Sequence, residues 1–173
     1  LVLPSGYKAT VKDIWTYGGS IDEAFCPQSV TIQLEEDIDI SRGDIVVGID
    51  DLPGVESDLR ARVCWMNQKP LTKGRKYFLK QGTQTVQAMV TAIDSKVNFE
   101  NLKMEPEPAE LAVNDIGEVK IKTARSIVYD AYQTNRLTGS FILIEQGTNQ
   151  TVAAGMLQPP NAAFNPEFTD YTI

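Results

Sequence analysis

The sequence predicts an all-β protein built from antiparallel β-barrels, with little helix. Residues 119–122 alternate Val or Ile with Lys, which is the two-residue period of a half-buried strand. Turn signals rich in glycine, proline, asparagine and aspartate recur between such runs at the spacing of short strands. The apolar run 141–144 and the small-residue run 151–156 flank a Gly-Thr-Asn turn. These two runs predict a hairpin in a packed barrel.

Alternation and turn residues place the other elements. Alternating apolar and polar residues predict a half-buried strand at 29–35 and a longer strand whose apolar face includes positions 86–92. Asp and Ile alternate in 37–40, which predicts an edge strand leading into a turn at 42–44. Two prolines make 105–108 an expected extended loop, because proline cannot donate a hydrogen bond to a sheet. No window has a capped helical stripe, so at most a turn or two of helix is expected.

The chain of 173 residues divides into regions of different character. Residues 1–50 are few for a free-standing barrel and open directly in a strand pattern, so we expect part of a barrel from a longer polypeptide. The polar stretch 51–56, with its Pro-Gly turn, is expected to be a linker. Residues 57–158 have the size of one closed barrel, and the proline-interrupted residues 159–173 predict an irregular C-terminal tail.

Charge and hydropathy limit the kinds of partner. The chain has 16 Lys and Arg against 23 Asp and Glu, a net charge of −7. Because binding to nucleic acid draws on clustered Lys and Arg, we expect no nucleic-acid partner. No apolar run approaches the ~18–20 residues that cross a bilayer, and no signal-peptide pattern is present. We therefore expect a cytoplasmic protein without membrane contact.

The side chains of common active sites are absent from the sequence. The chain contains no histidine, which excludes Ser-His-Asp and Cys-His catalysis and histidine-based zinc sites. It contains neither G-x-x-x-x-G-K-[ST] nor G-x-G-x-x-G, so no nucleotide-phosphate loop is expected. Cys26 and Cys64 form no C-x-x-C pair and are expected to be reduced core thiols. We expect no catalytic, cofactor-binding or metal-binding residue in this chain.

Four short patterns resemble functional sites but have simpler explanations. Residues 37–43 resemble a calcium loop, yet the glycine falls one position late and Gly48 stands where the ligating Glu is required. The Arg-Gly-Asp at 42–44 is expected to be a barrel turn rather than an adhesion motif. The Asn-Gln-Thr at 149–151 is expected to be a hairpin turn rather than a glycosylation site. The acidic residues in 35–39 are expected to form a solvated face.

Longer segments resemble one family. The segments NRLTGSFILIE (135–145) and TNQTVAAGM (148–156) resemble the closing hairpin of the large, GTPase-bearing subunit of bacterial sulfate adenylyltransferase (ATP sulfurylase), a relative of elongation factor Tu. Further segments fit the same register: 40–44, 63–66, 70–71, 74–77, 81–86 and 114–119. The resemblance implies that residues 1–50 belong to a second, and residues 57–158 form a third, elongation-factor-type barrel domain.

The resemblance implies a division of labour. In this family a G domain that binds GTP and Mg²⁺ precedes the barrels. A small catalytic subunit converts ATP and sulfate to adenosine 5′-phosphosulfate and pyrophosphate. Neither site maps onto this chain, so its expected role is docking and coupling within a heterodimer. The chain departs from the family at Gln81, where a His is expected, and at Glu145, where an Asp is expected.

The turn before the closing hairpin is the candidate contact site, because loops at barrel ends carry function while strands carry packing. We expect the following residues to contact the G domain or the small subunit: Asn135, Arg136, Thr138 and Gly139. The alternative is that residues 138–140 only make a tight turn into the strand at Phe141.

Two rival functions remain open. A translation-type factor would use such barrels to bind aminoacyl-tRNA, and the net charge of −7 counts against it. A free-standing β-barrel interaction module would need a complete N-terminal strand set, which the start at Leu1 does not suggest. Retention on tRNA would support the first rival. Two-state unfolding of a monodisperse chain would be compatible with the second.

Overall fold

The computed structural model describes residues 1–161, which form antiparallel β-structure with one short helix. The strands are β1 (Val2–Leu3), β2 (Val11–Thr16), β3 (Gly19–Ile21), β4 (Thr31–Leu34), β5 (Ile45–Val46), β6 (Gly54–Trp65), β7 (Leu71–Thr72), β8 (Lys76–Gln81), β9 (Gln84–Val97), β10 (Met104–Pro106), β11 (Glu110–Leu111), β12 (Ile116–Tyr129), β13 (Ser140–Glu145) and β14 (Thr151–Leu157). The helix α1 spans Arg136–Gly139. The predicted all-β class with little helix is confirmed.

Six strands close into an antiparallel barrel. Their hydrogen-bonded order is β9-β12-β6-β14-β13-β8, and the pairing of β8 with β9 closes the ring. The predicted hairpin is formed by β13 and β14, with Phe141 opposite Gly155. Each strand of the ring has two neighbours, so its backbone hydrogen-bonding groups are satisfied within the barrel.

Alternate side chains of the barrel strands fill its interior. Trp65 and Tyr129 are each 1% exposed. The Trp65 ring packs edge-on against Tyr77, with ring centroids 5.7 Å apart. Its indole Nε1 donates to the backbone oxygen of Lys69 at 2.9 Å. Residues 119–122 alternate between buried and exposed, as their sequence pattern predicts.

The long strand predicted around 86–92 is present as β9, but its alternation shifts at Thr91. Val90 faces the core as expected, whereas beyond Thr91 the buried residue is Ile93 and not Ala92. The pairing of β9 with β12 skips Thr91, which marks a β-bulge. One inserted residue moves the following side chains to the opposite face, so alternation alone does not predict this stretch.

Residues 1–50, hereafter the N-terminal segment, contain two small sheets. β2 pairs with β3 and β4, and β1 pairs with β5. β4 confirms a strand within 29–35, but Ile32 is 43% exposed and lines an apolar cavity of about 240 Å³. Leu1 and Leu3 pack against Val128 of β12 in a buried cluster that joins the segment to the barrel.

The predicted edge strand at 37–40 is wrong. The preceding residues still bind the β2 side of the sheet: Glu35 N donates to Thr10 O at 3.0 Å, and Thr10 N donates to Glu36 Oε2 at 2.7 Å. Beyond Glu36 the chain leaves the sheet, and 37–40 contains no strand. The turn that follows is present, with Asp44 N donating to the Ser41 backbone oxygen at 3.0 Å.

The predicted loop at 105–108 is also partly wrong, because Pro106 belongs to β10. β10 pairs with β9 at the margin of the sheet, where a proline is tolerated because one side of the strand has no partner. β6 begins at Gly54, inside the 51–56 stretch that was expected to be a linker. The tail prediction for 159–173 falls largely outside the described residues.

The prediction of two core thiols is wrong. Both cysteines are free, but Cys26 is exposed and Cys64 is only half-buried. Cys26 lies in the loop between β3 and β4. Cys64 sits between the inward-facing residues Val63 and Trp65 of β6, so strand alternation directs its side chain outward.

Candidate contact site

The helix α1 is capped and anchored by Asn135. The Asn135 side-chain Oδ1 accepts a hydrogen bond from Leu137 N at 3.1 Å, which is the bond of an N-cap residue. The Asn135 backbone N donates to Ala131 O at 3.0 Å, and its backbone O accepts from Gly139 N at 2.8 Å. Asn135 therefore fixes the helix start and is largely occupied by bonds within the chain.

The Asp130 carboxylate accepts hydrogen bonds from two of the predicted contact residues, Thr138 and Asn135. Its Oδ2 accepts from Thr138 Oγ1 at 2.6 Å and from Asn135 Nδ2 at 3.3 Å. The Thr138 backbone O accepts from Gln81 Nε2 at 2.7 Å. All of these bonds hold α1 against the barrel end.

Gly139 is buried and has no room for a side chain. A Cβ at this position would lie 2.4 Å from Tyr132 Cα and 2.5 Å from Tyr132 N. The backbone of residues 131–132 therefore packs directly on the end of α1. This geometry supports the alternative in which residues 138–140 make a tight turn into β13.

Arg136 is the member of the predicted set with an exposed side chain. Its guanidinium lies 5.9 Å from the centroid of the Tyr132 ring, in cation–π contact. Leu137, the next residue of α1, is 74% exposed. An exposed leucine beside an exposed arginine gives α1 an outward surface that a partner could contact, and partner contact at all four predicted residues stays a prediction.

Gln81 and Gln84 flank the β8–β9 turn and connect it to β12 and α1 on one side and to the N-terminal segment on the other. Gln81 is 3% exposed, and its Nε2 also donates to Val128 O at 3.1 Å. Gln84 Nε2 donates to Gly43 O in the N-terminal segment. A Cβ on Gly43 would lie 2.9 Å from Gln84 Cγ, and Gly43 has a φ of +107°. The glycine of the Arg-Gly-Asp turn is thus required for a contact with the barrel.

An apolar cavity of about 530 Å³ on the outside of the barrel was not predicted from the sequence. Its lining includes Cys64, Ile116, Ile142 and Ala154, together with Tyr132 next to α1. The sequence signal was present in the uninterrupted apolar run 141–144. When every residue of a strand is apolar, the face that points away from the barrel interior is apolar as well. The run 141–144 does not show, however, which strands lie beside β13 and share that outer face.

Tyr129, immediately before Asp130, takes part in a second set of hydrogen bonds, which joins the end of β12 to Glu56 of β6 and to Asn161. Its hydroxyl donates to Glu56 Oε2 at 2.9 Å, and Glu56 Oε1 accepts from Asn161 N at 2.8 Å. Burial, followed by the hydrogen bond to the Glu56 carboxylate, raises the pKa of the Tyr129 phenol well above its usual value. Within residues 1–161, no three His, Cys, Asp or Glu side chains form a group that could hold a metal ion.

A protein-family model described as GTP-eEF1A C-terminal domain-like matches residues 58–158. The chain belongs to this family. The match begins within β6 and ends one residue after β14, so it includes all of α1 and nearly all of the closed barrel.

Curated relatives of this GTP-eEF1A-like chain include proteins named sulfate adenylyltransferase subunit 1 and a bifunctional CysN/CysC enzyme. The bifunctional enzyme CysN/CysC of Rhodopirellula baltica is 45% identical over 90% of this chain and 24% of its own length. Sulfate adenylyltransferase subunit 1 of Aliarcobacter butzleri is 40% identical over 91% of this chain and 33% of its own length. The same subunit of Shewanella woodyi is 42% identical over 91% and 34%. The resemblance predicted from 135–156 is confirmed, and the chain spans only about a quarter to a third of these relatives.

Solved structures share the fold of this GTP-eEF1A-like chain at low sequence identity. Sup35 complexed with GDP matches with a TM-score of 0.82 and 16% identity, over 94% of this chain and 40% of that chain. Sup35 complexed with GMPPNP matches equally well. This likeness shows the fold alone and, with the family match, confirms barrels of elongation-factor type. In the part of the chain that the structure describes, no helix has the length and apolar character to span a membrane.

Proposed function

We propose that this chain is the barrel part of a sulfate adenylyltransferase large subunit and that it docks and couples the subunit's partners. The observation that carries the proposal is 40–45% identity to proteins of that name over about 90% of the chain. Identity of this extent includes the N-terminal segment, which the family match does not reach. The proposed partners are the protein's own G domain and the small catalytic subunit, in a cytoplasmic heterodimer.

The chemistry of the whole enzyme is proposed to lie outside this chain. GTP and Mg²⁺ would bind to the G domain, and the small subunit would transfer the adenylyl group from ATP to sulfate. Two features of the chain support this division: a closed barrel with a packed interior and a capped helix before β13. Strands and helices hold contact residues more precisely than loops do, which suits a docking role.

The N-terminal segment is proposed to belong to a second barrel that the preceding polypeptide completes, with 51–56 as the join to a third barrel at 57–158. An apolar cavity of about 240 Å³ supports this arrangement, since Val11, Ile32 and Val46 line it while remaining more than 40% exposed. Side chains of this type are normally covered in a complete barrel.

Binding of the small subunit tests the proposal. The full-length parent protein would be mixed with the small subunit from the same organism and resolved by size-exclusion chromatography with light scattering. We expect a complex of the two chains. In parallel, the parent would be incubated with aminoacyl-tRNA, and hydrolysis of the aminoacyl ester would be followed. Protection of that ester, with no complex with the small subunit, would favour a translation-type factor instead.

A further inference from the structure

The outer face of the barrel has two halves of different chemistry. Ion pairs between neighbouring strands occupy one half: Arg62–Glu118, Lys120–Asp94 and Lys122–Asp58. Pairs of this kind on an exposed sheet face are compatible with contact with water and contribute little to stability. This half needs no covering partner.

The other half is apolar. Ile142, Ala154, Cys64 and Ile116 lie opposite one another on four adjacent strands, β13, β14, β6 and β12. All four line the outer cavity of about 530 Å³. Contiguous apolar surface of this kind marks interaction sites, whereas scattered apolar residues do not.

The cavity is continuous with α1. Tyr132 and Ser140 both line it, and they flank the helix in sequence. The Arg136 guanidinium lies over the Tyr132 ring, 5.9 Å from the ring centroid. We call the cavity and α1 together the α1 groove. It contains the surface-exposed member of the predicted contact set.

Two cations border the α1 groove, and among residues 1–161 neither has a carboxylate partner. Lys80 lines the cavity opposite Ile142, and Arg136 lies on α1. Within residues 1–161, no carboxylate oxygen lies within 4 Å of the charged nitrogens of Lys80 or Arg136. In a chain of net charge −7, two such cations beside an apolar cavity make a locally basic surface. The complementary partner surface has an apolar centre and acidic residues around it.

Several relatives of this chain are named subunit 1 of sulfate adenylyltransferase, and that name points to a separate second subunit as the occupant of the groove. A partner without a covalent link must be held by contacts alone, which takes about 800 Å² on each side and an anchor residue in a central pocket. A domain joined by a linker gains effective concentration and can be held by a weaker surface. We propose that the α1 groove is the docking surface for the small catalytic subunit, which inserts an apolar side chain flanked by carboxylates. This proposal rests on the proposed function.

Charge reversal tests the border of the groove. The full-length parent would carry Lys80→Glu with Arg136→Glu, and its affinity for the small subunit would be measured by titration calorimetry at two salt concentrations. The matched control is Lys103→Glu with Arg125→Glu, two exposed residues that do not line the cavity. We expect Kd to rise at least about tenfold and its salt dependence to weaken in the first variant only.

A filled cavity tests the centre of the groove. In Ala154→Phe an exposed alanine on β14 gains a ring that occupies the cavity, while the barrel interior is untouched. Thr151→Phe is the control, because Thr151 is exposed on the same strand and does not line the cavity. Phenylalanine suits a strand, so both variants are expected to fold. We expect Ala154→Phe alone to weaken binding of the small subunit by about tenfold or more.

The outcomes separate the possible occupants. Unchanged affinity for the small subunit in both groove variants would overturn the proposal. An altered GTP affinity with unchanged subunit binding would assign the groove to the G domain, and loss of a parent dimer would assign it to a second copy; either result overturns the proposal. If the wild-type parent itself fails to bind the small subunit, the proposed function fails and the groove proposal falls with it. Circular dichroism and melting temperature of each variant establish that it is folded.

Discussion

At the residue scale, the segments that resemble the large subunit contain glycines that the packing requires. Gly155 lies opposite Phe141, and a Cβ there would fall 2.2 Å from the Phe141 ring. Gly139 meets the backbone of Tyr132 at a similar distance. Both glycines therefore permit close packing around the closing hairpin, so packing alone requires part of the sequence in 135–156.

Gly139→Ala is expected to lower the free energy of unfolding by about 1–3 kcal/mol, because backbone atoms of Tyr132 must move to admit the methyl group. Gly48→Ala is the control, since no atom lies within 4 Å of its added Cβ. Urea unfolding followed by tryptophan fluorescence measures both. Equal stability of the two variants would contradict the close packing at α1.

Tyr129→Phe is expected to destabilise the chain by about 1.5–3 kcal/mol, because its hydroxyl bonds the Glu56 carboxylate. Tyr77→Phe is a contrasting variant. The Tyr77 hydroxyl is buried and makes no hydrogen bond of ordinary geometry in the described chain. The neighbouring Arg75 side chain offsets only part of the effect by which burial raises the Tyr77 pKa, so removal of the hydroxyl is expected to be neutral or stabilising. The same urea experiment at neutral pH compares the two variants. A larger loss of unfolding free energy in Tyr77→Phe than in Tyr129→Phe would refute the role given to the Tyr129–Glu56 hydrogen bond.

The Tyr129 contribution is expected to disappear at alkaline pH. Burial raises its folded pKa above the ordinary value of 10.0, so the folded chain holds the phenol proton more tightly than the unfolded chain does. The stabilisation is then complete below about pH 10 and falls as the pH rises above that value. The stability difference between wild type and Tyr129→Phe should be constant up to about pH 10 and shrink progressively above it. A difference that grows above that pH would show the opposite sign of coupling.

At the element scale, period-two alternation located most strands but not their irregularities. The pattern in 119–122 was sufficient because β12 itself has no inserted residue there: its pairing with β6 is continuous, and the extra residue opposite Lys120 and Ile121 belongs to β9. The bulge at Thr91 could not be predicted, because it depends on pairing with β12, which is distant in sequence. Pro106 was placed in a loop because proline breaks central strands, and only the sheet order shows that β10 is at the margin.

If the preceding polypeptide completes a barrel with the N-terminal segment, amide hydrogen exchange in that segment should differ between the 173-residue chain and the full-length parent. In the 173-residue chain, amides of β2 to β4 should exchange rapidly, because Ile32 and Val11 are exposed and the strands open locally. In the full-length parent the exchange rates of the same amides should be lower by at least about 100-fold, because the preceding polypeptide covers that face. Amides of β12 serve as the internal control, since the barrel is closed in both. Equal exchange of β2 to β4 in both proteins would contradict the shared second barrel.

At the scale of the whole molecule, the sequence nominated the loop before β13 as a candidate contact site, a prediction that stays open, and did not give the shape of that loop. The loop before β13 was selected because it lies at a barrel end. Burial of Gly139, the bonds of Thr138 to Asp130, and the exposed position of Arg136 all depend on how the loop packs against β12 and β8. The apolar outer half of the barrel was likewise hidden, because it combines residues from four strands that the sequence separates by up to 90 positions.

These barrels are proposed to serve a sulfate adenylyltransferase. The most direct measurement is pyrophosphate release from ATP by the full-length parent together with the small subunit, with and without sulfate and GTP. We expect pyrophosphate release that requires sulfate and both chains and that is faster with GTP. Absence of sulfate-dependent release from a folded complex of the two chains would contradict the proposal.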